Sequence, residues 1–371
     1  MMKLPKKIGY IGLGHIGGSI AKTIARIHPG IAQIAYDTNP DTLKKAVDEE
    51  IIETGYDSLD EAFENCDLIF LCAPVLENVE YVDQLEQLVV SGNPHTILTD
   101  VGSVKHSIHD RIRQYPQLEK HFIGGHPMCG TEHAGYDYST AYMLENAYYV
   151  LTPTETVAPE QTEEMRDFIA SIGALPIVLN DREHDHIVGS VSHLPHVISA
   201  TLVNLVKDTD DANETMRTIA AGGFKDITRI SSSSPDMWEN ICLANRDELL
   251  RLIDTYMASL QKSRERIASA NGAEIRAFFQ SAKDYRDSIN LPHSGPLHPV
   301  FQIYCDLIDE AGGIATIATI LATNNVNIKN IGIIHNREFE QGVLHIEFYS
   351  RKACDHAISL LKRHHYTVYE T

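Results

Sequence analysis

Over the first 180 residues, short apolar runs alternate with longer stretches in which apolar residues recur every three or four positions. The runs "KIGYIGLG" (7–14), "IAQIAYD" (31–37), "DLIFLCAP" (67–74), "TILTDVG" (96–102), "HFIGGH" (121–126), "AYYVLTP" (147–153) and "LPIVLN" (175–180) predict strands. The stretches between them, such as "ENVEYVDQLEQLVV", predict helices. Strands and helices in alternation make βαβ units, and repeated βαβ units make a largely parallel sheet.

The strand pattern stops near residue 181. "DREHDHIVGSVSHLPHVISATLVNLVKD" and "PDMWENICLANRDELLRLIDTYMASLQKSRERIA" predict long helices with few breakers, so 181–290 is expected to be all-helical. "NLPHSGPLHP" is rich in proline and places a linker at 291–298. Residues 299–371 then follow the order strand, helix, strand, strand, helix, strand, from "VFQIYCDL" to "TVYE".

Composition narrows the class. With 43% apolar and 22% charged residues the chain is globular in character. No apolar run is long enough to span a membrane, and "MMKLPKKIGYIGLG" enters a strand directly, unlike a signal peptide. Six cysteines (66, 72, 129, 242, 305, 354) without CxxC spacing suit free thiols in the cytoplasm. A net charge of −20 argues against nucleic acid or an anionic membrane as partner. An anionic small molecule would need the few basic residues gathered at one place.

"GYIGLGHIGGS" carries G-x-G-x-x-G at Gly12, Gly14 and Gly17, at the end of one predicted strand and the start of a helix. Asp37 follows twenty residues later, at the end of the second strand. In that context the glycines allow a tight turn, and the helix N-terminus receives a pyrophosphate. Asp37 would accept from the ribose hydroxyls and repel a 2′-phosphate, with no arginine following it, so the expected cofactor is NAD. His15, Ile16, Ala73 and Pro74 belong to the same expected cofactor site.

"DVGSVK" (100–105) and "GGHPMCGTEHAG" (124–135) also follow strands, on the sheet edge where ligands bind in such folds. His126, held between glycines and Pro127, has the chemistry to take a proton from a hydroxyl near neutral pH. A lone histidine is equally compatible with a structural role. The neighbouring glycines are expected to let nicotinamide and substrate approach closely.

Taken in order, "GLGHIGGS", "DVGSVK", "GGHPMCGTEHAG", "SHLPH", "FKDITRI" and "SPDMWENI" resemble the prephenate dehydrogenase family of tyrosine biosynthesis, and the C-terminal pattern resembles the ACT domains that some members carry. The resemblance implies a Rossmann-like domain over 1–180, a helical substrate and dimerisation domain over 181–290, and an ACT-like, ferredoxin-like domain over 299–371. It implies NAD-dependent oxidative decarboxylation of prephenate to 4-hydroxyphenylpyruvate in a homodimer. By the same resemblance, His126 bonds the substrate's C4 hydroxyl, Ser103 supports it, and Arg229 binds a carboxylate. His196 and Lys225, from this or a neighbouring subunit, and Trp238 add substrate contacts. Thr131 and Glu132 line the entrance, and Asp185 is a supporting residue. Gly312, Gly313, Asn327 and Asn330 would form an amino-acid site, with tyrosine as the effector.

Some residues carry a plainer reading. His184 and His186 are expected on a polar helix face, and Cys129 as a small packing residue. Asp185 and His196, eleven residues apart, are expected on one helical stripe. Lys105 joins Arg229 and Lys225 in the expected positive cluster. No H-E-x-x-H or grouped Cys/His set suggests a metal. Arogenate dehydrogenase is the rival assignment. A β-hydroxyacid dehydrogenase would need an interdomain lysine, and Lys207 lies only at the helix end. A non-catalytic regulator binding NAD and an amino acid would leave Ser103, His126 and Arg229 without a purpose.

Overall fold

The computed structural model describes residues 4–59, 62–130, 134–289, 301–306, 312–334 and 343–370. These fall into two compact units, 1–265 and 266–371. The linker expected at 291–298 lies outside the described residues, as do Thr131 and Glu132.

In the first unit, five strands form a parallel sheet: β1 (Lys7–Ile11), β2 (Ala32–Tyr36), β3 (Thr54–Tyr56), β4 (Leu68–Leu71) and β5 (Ile97–Asp100). Their order is β3-β2-β1-β4-β5, the doubly wound arrangement. A parallel bridge from Leu98 to Phe122 carries the sheet on to β6 (Ile123–Pro127), β7 (Tyr148–Pro153) and β8 (Leu175–Val178). β6 and β7 are antiparallel, whereas β7 and β8 are parallel. The seven expected strands all form, and the sequence pattern passes over only β3. That strand has three residues at an edge, one exposed and two half-buried, too short to show a period.

Successive residues of β4 serve opposite faces. Leu68 and Phe70 join a core with Ile20 and Ile24 of the helix His15–Ile27 and Phe168 of the helix Pro159–Ser171. Ile69 and Leu71 face Val82 and Leu85 of the helix Val75–Ser91 and Ile108 of the helix His106–Ile112. A strand buried on both faces must be apolar throughout, which is why "LIFL" has no alternation.

Past β8 the chain is helical, but two of the expected long helices are interrupted. The first runs as Asp181–Val188, a π-helical turn Gly189–His193, and Leu194–Thr209. A π turn holds one residue more than an α turn, which rotates everything downstream by about 100°. This corrects the single stripe expected for Asp185 and His196. The second breaks at Asn245, between Pro235–Ala244 and Arg246–Ala268.

The second unit includes a four-stranded antiparallel sheet of β9 (Phe301–Asp306), β10 (Ile328–Ile334), β11 (Val343–Phe348) and β12 (Val368–Glu370), ordered β10-β11-β9-β12. Helices Gly313–Thr323 and Arg351–Arg363 supply Ile317, Leu321, Ala357 and Leu361 to its core. This is the expected βαββαβ domain.

Candidate active site

Two features meet at the carboxyl edge of the parallel sheet. The first is the turn between β1 and the helix His15–Ile27. Gly12 has φ +90°, which favours glycine, and a Cβ there would lie 3.0 Å from the Ala73 nitrogen. A Cβ on Gly17 would lie 2.6 Å from the Gly12 carbonyl oxygen. Both glycines therefore let β1, its helix and the end of β4 close together. Gly14 differs, because a Cβ there would meet nothing within 4 Å. No side chain caps the helix, so its first-turn N–H groups can receive an anion.

Asp37 stands beside this turn. Its carboxylate accepts from the Leu13 N–H at 2.7 Å and the Asn39 N–H at 2.8 Å, which fixes its place while leaving lone pairs for a ligand hydroxyl. Ala73 and Pro74 follow β4, held by Asn78, whose Oδ1 accepts from the Ala73 N–H and whose Nδ2 donates to the Leu71 carbonyl. β1 and β4 are the neighbours at which the strand order reverses, so the turn after β1 and the segment after β4 both lie at the topological switch point.

The second feature is a cleft of about 760 Å³ reached by Ser103, His126, His196, Lys225, Arg229 and Trp238. Six residues spread over more than 130 positions of sequence thus share one cavity within one chain. Gly130, also on its wall, lies against Ile16 of the glycine turn, so the cleft adjoins the cofactor crevice.

His126 sits near the end of β6, opposite Val150. Its Nδ1 is 2.8 Å from Nε2 of His184, and Nδ1 of His184 is 2.8 Å from Oδ1 of Asp185. Asp185 also accepts from the backbone N–H groups of Lys105 and His106, at 2.7 and 2.8 Å, and from the His106 ring. Burial alone would raise this carboxyl's pKa, but the hydrogen bonds from His106 and His184 outweigh it and hold the group ionised. An ionised Asp185 dictates the tautomers in turn. His184 must carry its proton on Nδ1, its Nε2 then accepts from Nδ1–H of His126, and Nε2 of His126 is left as a lone pair. Burial, then the charges of His184, Lys105 and His193, push the His126 pKa well below its ordinary value and keep it a neutral acceptor.

His184 is therefore not on a polar face, as the sequence suggested, but fully buried between His126 and Asp185. The period could not reveal this, because β6 closes over that face from a remote part of the chain. His186 is exposed and pairs with Glu248, in keeping with the plainer reading.

Lys105 is also placed otherwise than expected. It is fully buried, paired with Asp100, and donates to the Gly125 carbonyl at 2.5 Å rather than lining the cleft. Gly124 and Gly125 serve packing: a Cβ would lie 2.3 Å from Thr152 Oγ1 or 2.6 Å from the Asp100 carbonyl. Cys129 packs against the main core, and burial raises its thiol to about 11, so it remains protonated.

At the other end of the cleft, Lys225 lies on the helix Gly222–Thr228 and Arg229 opens the following 3₁₀ turn. Neither has an ion-pair partner among the described residues, and no Asp or Glu among them lines the cleft. His196 stacks on Trp238 with ring centroids 3.9 Å apart, and its Nδ1 donates to the Ser192 carbonyl. His193 and Asn245, the latter not singled out by the sequence, also meet here. Asn245 Nδ2 donates to the Asp185 carbonyl at 3.2 Å and to His193 Nδ1 at 3.1 Å, which leaves the His193 proton on Nε2. No grouping of three or more His, Cys, Asp or Glu among the described residues could hold a metal, and no described helix is long and apolar enough to cross a membrane.

Comparison with known proteins gives the family. Residues 20–178 match the family model for the prephenate dehydrogenase nucleotide-binding domain, and 180–281 match that for the prephenate dehydrogenase dimerization domain. The chain is 34% identical to a prephenate dehydrogenase of Bacillus subtilis over 94% of both sequences. It resembles the structure of Aquifex aeolicus prephenate dehydrogenase in complex with hydroxyphenyl propionate and NAD+, with TM-score 0.71, 30% identity, and 77% of this chain and 98% of that one covered. It also resembles Synechocystis arogenate dehydrogenase, with TM-score 0.68, 31% identity, and 76% and 99% covered. A doubly wound nucleotide-binding sheet, a helical dimerization domain and these relatives lead to one conclusion: the chain belongs to the prephenate dehydrogenase family.

Proposed function

We propose that this enzyme converts prephenate to 4-hydroxyphenylpyruvate, with NAD as the oxidant, in tyrosine biosynthesis. One observation carries the reading: a neutral imidazole acceptor, His126, and two cations without an ion-pair partner among the described residues, Lys225 and Arg229, share a cleft that adjoins a dinucleotide crevice. The crevice fits the cofactor, with Gly12, Gly14, His15, Ile16 and Gly17 at the pyrophosphate, Asp37 at the ribose, and Ala73 and Pro74 along the far wall. The bound dinucleotide would supply the acceptor for a hydride from C4.

The chain's own residues do the rest. Arg229 meets a substrate carboxylate through its two-pronged guanidinium, and Lys225 adds a second positive charge for the dianion. His126 accepts the C4 hydroxyl proton through Nε2, with Ser103 of the same cleft in support. Trp238 and His196 give the ring and side chain a flat wall. Aromatisation with loss of carbon dioxide supplies most of the driving force, so positioning and charge placement dominate.

Prephenate is favoured over arogenate because arogenate's ammonium would find two cations and no carboxylate among the described lining residues. Initial rates with prephenate and arogenate, each with NAD and with NADP, test the assignment. Turnover of neither substrate rejects it, and faster turnover of arogenate reverses the preference.

The reading extends to assembly and control. Ile219, Ile227, Met257 and Leu260 expose more than half of their surface, as expected where a helical domain meets a second copy. Thr131 and Glu132 are assigned to the cleft entrance. In the ACT-like domain, Gly312 has φ +94° and opens the helix Gly313–Thr323, while Asn327 and Asn330 lie exposed at the start of β10. Tyrosine is assigned to this group as a feedback inhibitor. Loss of rate on titrating tyrosine into the full chain supports this, and an unchanged rate removes it.

A further inference from the structure

The tautomers fixed by Asp185 leave a definite route for the proton that His126 accepts. Nδ1–H of His126 already points at the His184 Nε2 lone pair, 2.8 Å away, and Nδ1–H of His184 points at Asp185 Oδ1, 2.8 Å away. The two stations are not equivalent. A positive charge on His126 would sit among His184, Lys105 and His193, with no carboxylate bonded to the ring. A positive charge on His184 would sit in hydrogen-bond contact with the Asp185 carboxylate. His184 is fully buried while His126 is half-buried on the cleft wall, so at His184 a nearby opposite charge counts for more than it would at the surface.

Resting on the function proposed above, we propose that His184 is a second proton station and that the substrate proton is stored there rather than on His126. As hydride leaves C4, the hydroxyl O–H bond breaks and an N–H bond forms at His126 Nε2. The His126 Nδ1–H bond breaks as an N–H bond forms at His184 Nε2, leaving His184 as an imidazolium paired with Asp185. When carbon dioxide departs, its bonding electrons enter the ring and charge the oxygen at C4. That oxygen takes the proton back along the same path. No proton is gained or lost over the cycle, so the relay needs no exit to solvent, in keeping with the full burial of His184.

His184 and Asp185 act through His126, and are thus positioning residues whose removal has a distinct signature. H184Q is expected to lower kcat about 10²-fold, the lower end of what proton transfer contributes. The KM for substrate should change by less than about twofold, since no contact to substrate is removed. The acid limb of the kcat/KM profile should also move to higher pH. His126 would then lose the neighbouring imidazole and face an Asp185 relieved of one partner, while Lys105, His193, His106 and Asp100 stay in place. Wild-type kcat and an unmoved acid limb in a folded H184Q would overturn the relay.

A measurement on the wild type covers the case in which H184Q does not fold. In single turnovers with rising fractions of D₂O, two protons in flight bow the rate plot downward. A linear plot, or no isotope effect, overturns the relay. These outcomes are separate from failure of the functional reading, which would appear as no turnover of prephenate or arogenate by the wild-type chain.

Discussion

His196 lies almost flat against Trp238, with 3.9 Å between ring centroids and 29° between planes. Its Nδ1 is committed to the Ser192 carbonyl, so the stack and that bond together fix the ring in the cleft. Aromatic contacts of this kind contribute about 0.5–1.5 kcal/mol beyond area burial. W238A is therefore expected to raise the KM for substrate by up to about tenfold, with W238F recovering most of the loss. Steady-state kinetics of the two variants check this, and equal loss in both would mean that the indole N–H matters more than the stack.

The three motif glycines should respond differently to alanine. G14A meets no protein atom and should melt like the wild type, yet raise the KM for NAD roughly tenfold by occupying space meant for the pyrophosphate. G17A pushes a methyl against the Gly12 carbonyl and should also lose about 1–3 kcal/mol of stability. Thermal melts and dinucleotide titrations separate the two effects. A G14A variant with unchanged NAD binding would argue against the assigned cofactor position.

Lys105 and Asp100 form a buried pair that holds β5 and β6 together through the Gly125 carbonyl. K105M would leave Asp100 charged and unpaired, at a cost of about 3–5 kcal/mol. Urea denaturation reads this directly. A loss below about 1 kcal/mol would show that Asp100 finds another partner or takes up a proton.

Acid should weaken the fold before the carboxylates titrate. Burial lowers His109 to about 3 and His193 to about 4, both below the unfolded value near 6.5. The unfolded chain binds these protons first, so stability is complete above about pH 6.5 and falls as the pH drops toward 4. Each histidine contributes roughly 1.4 kcal/mol per pH unit in that window. Melting temperature against pH checks the slope, and H109Q should make it shallower. A flat profile between pH 6.5 and 4.5 would contradict it.

Much of this architecture was legible in the chain because two-face burial leaves an unmistakable mark. Strands such as "LIFL" have to be apolar throughout, and the glycine turn must have glycine at Gly12 and Gly17 for steric reasons. The cleft residues followed from a resemblance, not from periodicity, since Ser103, His126 and Arg229 come from elements far apart in sequence. What escaped was local geometry set by remote contacts. Nothing in "EHDH" shows that β6 buries His184, and nothing in "LANRDE" shows that Asn245 ends a helix to bond Asp185 and His193. Lys105 looked like a ligand cation because charge can be read from sequence, whereas its buried partner cannot.

The π turn at Gly189–His193 makes chain length, rather than residue identity, the determinant of where His196 stands. Most positions in a helix tolerate substitution with a local effect, but this one sets the angular phase of everything after it. Deleting a single residue there would restore an ordinary helix and swing His196 and Ser192 around the axis while leaving Asp185 and His184 where they are. The His184–Asp185 pair and the substrate wall thus share one helix but are phased separately, so an insertion or deletion in this five-residue stretch would move the wall, and His193 with it, while leaving the bonded His184–Asp185 pair in place.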